Sequence, residues 1–530
     1  MNLFLSEKWT RINNGEYLCT SSSNCFPIAD LKLDLVSFEN KFIEFGFVKQ
    51  NTDCSLLITD RFNTIPIYYA LVNGDIIISD TLIEILKISQ WKFDNESVLE
   101  HLLYDFTFTP IKTLYKGIYK VPSGTILKVY LNGQIRIIDQ LINGVPNKRE
   151  DLSFKDFEDE TLKLRQRILD YIKPHDSYYI PISGGLDSRI VLGMVAGYTN
   201  ADIYSRTYGD RKAMDVINGH KIAKKLDILH EIVSKSDASA LDEFEHTVLE
   251  SGGELNGVHG HDLAGRDKFE NGPWRAKISG FVGDLFARGA NLKNNINTKD
   301  EALNKFLHTR TNFNRYDYNK LLTSTYSTVS ILDSANNYLD FVYDIHGNFE
   351  SLSWDYYVTK RVGCMTSLLE YFTHVTKPNY KPFLIPQVRD FISENAGNDK
   401  WEGMKYSQLA EILIPDLIKV PLSSNSIFTS KYNMYMYKIE KRIANKKNEY
   451  LSRFSKGKVL PLAHNATLNW RAILKRNPGW VKKHTEIASI AFCLNQKYVE
   501  SIFVEHKNGR VAHEELLLRL ISLGIIAGSI

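Results

Sequence analysis

Tyr178-Tyr179-Ile180-Pro181-Ile182-Ser183-Gly184-Gly185-Leu186-Asp187-Ser188, followed by Arg189 and the apolar run Ile190-Val191-Leu192-Gly193-Met194-Val195-Ala196, is the stretch on which the fold turns. A short β-prone run meets two glycines and then an apolar segment long enough for a buried helix, which predicts strand, tight turn and helix in that order. A phosphate at the mouth of such a unit meets backbone N–H groups and the positive end of a helix dipole, provided no side chain blocks the approach. Two glycines remove that obstacle. Ser183 and Ser188 bring hydroxyl donors, and Asp187, which phosphate repels, makes sense as a ligand of Mg²⁺ bridging a pyrophosphate. A plain tight turn would account for Ser-Gly-Gly alone, and the Asp-Ser pair between apolar strand and apolar helix decides against it. Ser183, Gly184, Gly185, Leu186, Asp187 and Ser188 are therefore read as a pyrophosphate-binding loop in an ATP-using enzyme. No GxxxxGKS or GxxxxGKT string occurs, so chemistry on a lysine-cradled γ-phosphate is not indicated.

Downstream, the run from Ala201 to Thr207 reads as a strand, Asp215 to Leu226 as a helix and Leu229 to Val233 as another strand. That alternation predicts a parallel sheet with crossover helices, an α/β core. Upstream, residues 1 to about 140 read as strands and turns, with β-rich runs at Phe42–Val48, Ser55–Thr59 and Asp75–Ser79. The polar stretch from Asn143 to Asp151 marks the boundary, after which Phe157, Leu162, Leu164, Ile168 and Ile172 fall at helical spacing. From about 300 onward the pattern is mostly helical, with a basic, tyrosine-rich segment from Lys431 to Lys456. The expected division is 1–145, 150–425 and 426–530. No internal repeat or low-complexity tract is evident.

A chain of 530 residues is too long for one ordinary core. Its hydrophobic fraction of 43% and charged fraction of 24% are those of a globular protein. A net charge of +3 is too small to argue for nucleic acid or a membrane, and Lys438 to Lys447 reads as a solvated helix face. The five cysteines (Cys19, Cys25, Cys54, Cys364, Cys493) form no CxxC pair, which fits a reducing cytoplasm better than a disulfide framework or zinc site. The N-terminus has no basic region leading into a long apolar stretch, and the run from Leu520 to Ile530 is too short to span a bilayer. His259-Gly260-His261-Asp262 reads as a polar loop, since no third ligand stands at a known metal spacing.

The SGGLDS loop after a strand resembles that of the N-type ATP pyrophosphatases, and specifically the asparagine synthetase family. Asp60-Arg61-Phe62-Asn63-Thr64-Ile65-Pro66, Ile76-Ile77-Ile78-Ser79-Asp80-Thr81 and Thr113 to Gly124 resemble successive landmarks of its glutaminase-type domain. Ser279-Gly280-Phe281-Val282-Gly283-Asp284-Leu285-Phe286 resembles its second nucleotide motif, SGxGxDExF, and Lys381-Pro382-Phe383-Leu384 its RxPFLD segment. The resemblance spans roughly residues 40 to 425. It implies an N-terminal Ntn-type β-rich sandwich, a PP-loop (adenine nucleotide alpha hydrolase-like) parallel-sheet domain and a helical extension. It also implies Mg²⁺ ligands at Asp187 and Asp284, and nucleotide contacts at Thr207, Gly280 and Gly283. His230 is read as packing near the nucleotide.

The departures matter as much. The family's glutaminase uses an N-terminal cysteine, whereas residue 2 here is Asn2, and the first landmark comes early, which argues against glutamine hydrolysis. Phe281 and Leu285 stand where glutamates are common, so aspartate as substrate is in doubt. Lys419 is the nearest candidate for the lysine that stabilises the adenylate, and Arg189, in place of a small residue, would reach phosphate or a carboxylate on its helix. Ring-closing relatives, the β-lactam synthetases and lasso-peptide cyclases, use a glutamate in deprotonating the attacking amine, and Glu370 is the candidate here, beside the plainer reading of a salt-bridged helix residue. The expectation is an AMP-forming ligase using ATP and Mg²⁺ to join a small-molecule or peptide carboxylate to ammonia or an amine. Amidation of aspartate, amidation of a sugar acid, peptide or amino-acid cyclisation, and an inactive binding module all remain open, as does a homodimer or a partner protein.

Overall fold

The computed structural model describes residues 2–13, 15–20, 34–107, 109, 111–141, 152–260, 270–289, 296–310, 316–323, 331–372, 377–396, 404–420, ten positions between 439 and 455, 467–509 and 511–529. Cys25, His261, Asp262 and most of the basic segment lie outside the described residues.

Among the described residues, two sheets build the N-terminal half. One has four strands in the order β1 (Asn2–Phe4), β7 (Asp75–Ser79), β6 (Tyr68–Val72), β8 (Ile118–Lys120). The other has six, ordered β10 (Ile135–Gln140), β9 (Thr125–Tyr130), β5 (Cys54–Thr59), β4 (Phe45–Gln50), β3 (Glu16–Thr20), β2 (Thr10–Asn13). Side chains alternate across each strand, and the alternation assigns the layers. Val48, Leu57, Leu127 and Val129 from one sheet pack against Tyr69, Ile76 and Ile78 from the other. Phe45, Phe47, Ile58 and Ile126 point the opposite way, onto Phe38 of the helix Leu35–Lys41. Tyr68, Ala70 and Ile77 face the helices Leu82–Leu86 and Asn95–Tyr104 and the C-terminal helix Glu514–Ser529. The result is helix, sheet, sheet, helix. Asn73-Gly74, at φ of 52° and 84°, closes the β6–β7 hairpin in the left-handed conformation such two-residue turns require.

The reading of this half as strands and turns misses its helices. The Asp34 and Asp94 side chains accept from Ser37 N at 2.8 Å and Ser97 N at 3.0 Å, capping the helices 35–41 and 95–104. The strand expected from Phe42 accordingly starts at Phe45, because the chain is still leaving a helix at Phe42.

The second half is the expected mixed α/β unit. Among the described residues, five parallel strands run in the order β13 (Leu229–Val233), β12 (Asp202–Tyr208), β11 (Ser177–Pro181), β14 (Ala276–Ile278), β15 (Asn379–Tyr380). Tyr178, Ile180 and Ile203 share an apolar cluster with Phe157, Leu164 and Ile168 of the helix Phe154–Tyr171 and with Ile190, Val191 and Val195 of the helix Asp187–Tyr198. Sheet order steps outward from β11 in both directions, so the connections leaving β11 and β14 diverge and open a crevice at the carboxyl ends of the strands. The C-terminal helices Pro478–Ala491 and Glu514–Ser529 join the cluster that holds Leu82, Leu99 and Leu352. No helix among the described residues is long and apolar enough to cross a membrane.

Candidate nucleotide site

Both glycine motifs lie at that crevice. Ser183 to Ser188 follows β11, and Ser279 to Asp284 follows β14, the neighbouring strand at which the order reverses. The helix Asp187–Tyr198 starts without a side-chain cap, so its first-turn amides keep their positive end toward the crevice. Ser183 N donates to Ser188 Oγ at 3.1 Å and Gly185 N to Ser183 Oγ at 3.1 Å. Neutral hydroxyls are weaker acceptors than phosphate oxygens, so an arriving anion can replace both. Gly184 N donates instead to Asp215 Oδ1 at 3.0 Å, from the first turn of the helix Met214–Lys225.

The two loops touch directly. Asp284 N donates to Asp187 Oδ2 at 2.9 Å, while Tyr406 OH donates to Asp187 Oδ1 at 2.8 Å. A Cβ on Gly280 would stand 2.6 Å from Ser188 N and 2.8 Å from the Asp187 carbonyl carbon, so the approach requires glycine there. Gly283 is as tightly placed, with Tyr406 Oη and the Phe383 ring within 2.6 and 2.9 Å of its virtual Cβ. In SGxGxDExF the second glycine falls at position 282, and Val282 indeed holds φ at +59°, a strained conformation for a β-branched residue. Gly283, expected as a nucleotide contact, is therefore the packing glycine, and the left-handed turn sits one residue earlier.

Two half-buried carboxylates on touching loops suit Mg²⁺, which takes one or two protein carboxylates and fills the rest of its shell with water and phosphate oxygens. Among the described residues no group of three or more His, Cys, Asp or Glu forms a self-sufficient metal site. Asp187 and Asp284 are the donor type such an ion takes, and an ion there would depend on water and phosphate for its remaining ligands.

Glu370 is brought to the second loop. Ser279 Oγ donates to Glu370 Oε1 at 3.1 Å, and Lys277 Nζ lies 3.7 Å from Oε2. It follows a run of π-helical turns, Asp355–Thr366, in the short helix Ser367–Phe372. Thr207 ends near the crevice on β12, but its hydroxyl donates to the Ile182 carbonyl at 2.7 Å and is buried. Lys419 is exposed on the turn after the helix Met404–Leu413. Arg189 corrects its expectation: among the described residues its guanidinium donates to the carbonyls of Leu417 at 3.1 Å, Val420 at 2.5 Å and Gly184 at 3.1 Å. It staples the Lys419 turn to the loop, and burial pulls its pKa down to about 10, still cationic at neutral pH. The His230 ring bonds Ser205 Oγ at 2.7 Å, and burial followed by the neighbouring His220 pushes it down to about 4, so it is a neutral packing group. His259 likewise proves structural, with Nε2 2.8 Å from Asp105 Oδ2.

Tyr406 and Asp215 escaped the sequence reading. Both reach the loop from helices distant in the chain, and neither stands in a pattern that announces it.

No protein-family model matches this chain, and no curated protein matches it. Among solved structures it is similar to an NMN synthetase from Francisella tularensis, at 14% identity over 40% of this chain and 97% of that one, with a TM-score of 0.22. A U34-tRNA thiolase, NcsA, from Methanococcus maripaludis matches at 15% identity over 42% of this chain and 82% of that one, also with a TM-score of 0.22. Overlap that low carries no argument, and the reading of the site rests on its strand order and loop contacts.

Proposed function

We propose that the protein is an ATP-using, AMP-forming ligase of the asparagine synthetase type, which adenylates a carboxylate and passes the acyl group to ammonia or an amine. The observation that carries this is the meeting of two glycine loops at the reversal of strand order, joined by the Asp284 N to Asp187 hydrogen bond at 2.9 Å. A substrate carboxylate oxygen attacks the α-phosphorus and pyrophosphate leaves, giving a mixed anhydride. The amine nitrogen then attacks its carbonyl, AMP leaves and the ammonium proton is surrendered. The loop amides and the hydroxyls of Ser183 and Ser188 hold the departing pyrophosphate in a fixed geometry, which is where such a site gains rate. Mg²⁺ held by Asp187 and Asp284 would neutralise pyrophosphate charge and improve the leaving group. Glu370, which accepts from Ser279 of the second loop, would take the proton from the attacking amine.

Phe281 is buried and Leu285 half-buried in the second loop, where a substrate amino group would meet no carboxylate from either. That favours a sugar acid, peptide or other metabolite over aspartate. The test is pyrophosphate release from MgATP across a panel of carboxylates with ammonia or amines. Asp187→Ala should lower the rate by about 100-fold or more, the scale of losing one electrostatic group in such a site. Release that is indifferent to Asp187 would refute the proposal.

A further inference from the structure

Two buried carboxylates of the sheet half reach across to the residues around Glu370. Asp80, next after β7 and 1% exposed, accepts from Trp9 Nε1 at 3.0 Å, from Ser6 N at 3.2 Å and from the hydroxyls of Ser6 and Tyr371. Tyr371 adjoins Glu370 in the chain. Lys8 secures the same residue, its Nζ lying 3.9 Å from the Tyr371 ring centroid and donating to the Tyr371 carbonyl at 3.1 Å. Glu44, next before β4 and 1% exposed, pairs with Lys381, which follows β15 and is itself 3% exposed. Burial alone would lower the Lys381 pKa, and Glu44 together with Glu370 outweighs it and holds the amine above its ordinary range.

Glu370 thus accepts from Ser279 beside Lys277, and the sheet half grips both Tyr371, its neighbour in the chain, and Lys381, whose charge it supports. A buried ion pair adds little net stability compared with an apolar pair of the same volume, but removing one partner strands a charge, so such pairs fix position. Cys19 lies buried in the sheet half, where burial and then Asp80 push its thiol up to about 12.

We infer that Asp80 with Tyr371, and Glu44 with Lys381, are positioning pairs: the sheet half is the frame that holds Glu370, and through Ser279 the second nucleotide loop, in working register. The proposed function gives the frame its purpose, and the contacts can be tested apart from it. The experiment is amide hydrogen exchange on the full chain, comparing residues 279–286 with 183–188 and with the sheet half. Tyr371→Phe should speed exchange at 279–286 by about fivefold or more, with the sheet half at its wild-type rate, while Asp80→Ala should do the same at 279–286 and add a local rise around Ser6 and Trp9, whose hydrogen bonds it also removes. Asp80→Asn, whose amide oxygen still accepts from Tyr371, should restore most of the protection. Tyr371→Phe combined with Glu370→Gln should add less than the sum of the two, because one acts through the other. The neutral pair Glu44→Gln with Lys381→Gln, which strands no charge, serves if a single variant fails to fold. Unchanged exchange at 279–286, a rise spread evenly over the sheet half, or strict additivity would overturn the inference. MgATP titration of the same wild-type protein separates the readings: absent binding would count against the nucleotide site, while the exchange result would still stand or fall on its own.

Discussion

At the residue scale the site depends on where a Cβ has room. Gly280 and Gly197 are both glycines of the parallel-sheet half, yet they predict opposite outcomes for the same change. Gly280→Ala drives a methyl onto the Ser188 and Asp187 backbone, neither of which can yield cheaply, and overpacking of this kind costs about 1–3 kcal/mol. Gly197 lies in the helix Asp187–Tyr198 with nothing within 4 Å of its virtual Cβ, so Gly197→Ala should stabilise by about 0.5–1 kcal/mol. Urea unfolding of the two variants checks this. Equal effects, or a stabilised Gly280→Ala, would contradict the described contact of the two loops. What was legible here was local: Ser183, Gly184, Gly185 and Asp187 announce the tight loop between strand and helix from their own types and order. Tyr406 was illegible because a hydrogen bond between residues 219 positions apart leaves no trace in spacing. The arginine at 189 was visible, but its partners are backbone carbonyls, which every residue possesses and no sequence singles out.

At the scale of elements, the alternation of short strands and apolar helical runs gave the parallel sheet, because a buried α/β core writes itself into hydrophobic runs. The helices 35–41 and 95–104 were lost among β-prone neighbours, although Asp34 and Asp94 stand at the cap positions that mark them. The end of the second helix supplies a pH test. Asp105 follows it at φ +77° and bonds Asn256 Nδ2 at 2.6 Å and His259 Nε2 at 2.8 Å, with Arg519 Nε 3.5 Å away. Burial alone would raise its pKa, and His259, Arg519 and Asn256 outweigh that to hold it at about 2. An acid whose folded pKa is depressed contributes stability above its unfolded value, near pH 4, and loses it as pH falls through the folded value. Wild type should therefore exceed Asp105→Asn by about 2 kcal/mol at pH 6, the gap closing as pH drops from 4 toward 2. A gap that does not change with pH in denaturant titrations would contradict the assignment.

At the scale of the whole molecule, the two halves are built on different sheets but share contacts that matter at the site. Asp60, from the first landmark, is used structurally: its carboxylate accepts from Phe62 N at 2.9 Å and Phe45 N at 3.2 Å, and burial raises it to about 6. Arg61 is engaged through Nε and Nη2 by Glu39 at 2.7 and 2.8 Å. The landmark residues thus hold the sandwich together, in keeping with a sheet half that acts as a frame. None of this was legible from motif order, which places residues along the chain but not across an interface; Glu44 and Lys381 are 337 positions apart. We propose that the loops after β11 and β14 direct cleavage between the α- and β-phosphates. It is tested most directly by following ATP labelled at the α-phosphate, with carboxylate and amine present, beside Asp187→Ala. The account predicts labelled AMP and free pyrophosphate, both lost in the variant; labelled ADP and inorganic phosphate as the products would contradict it.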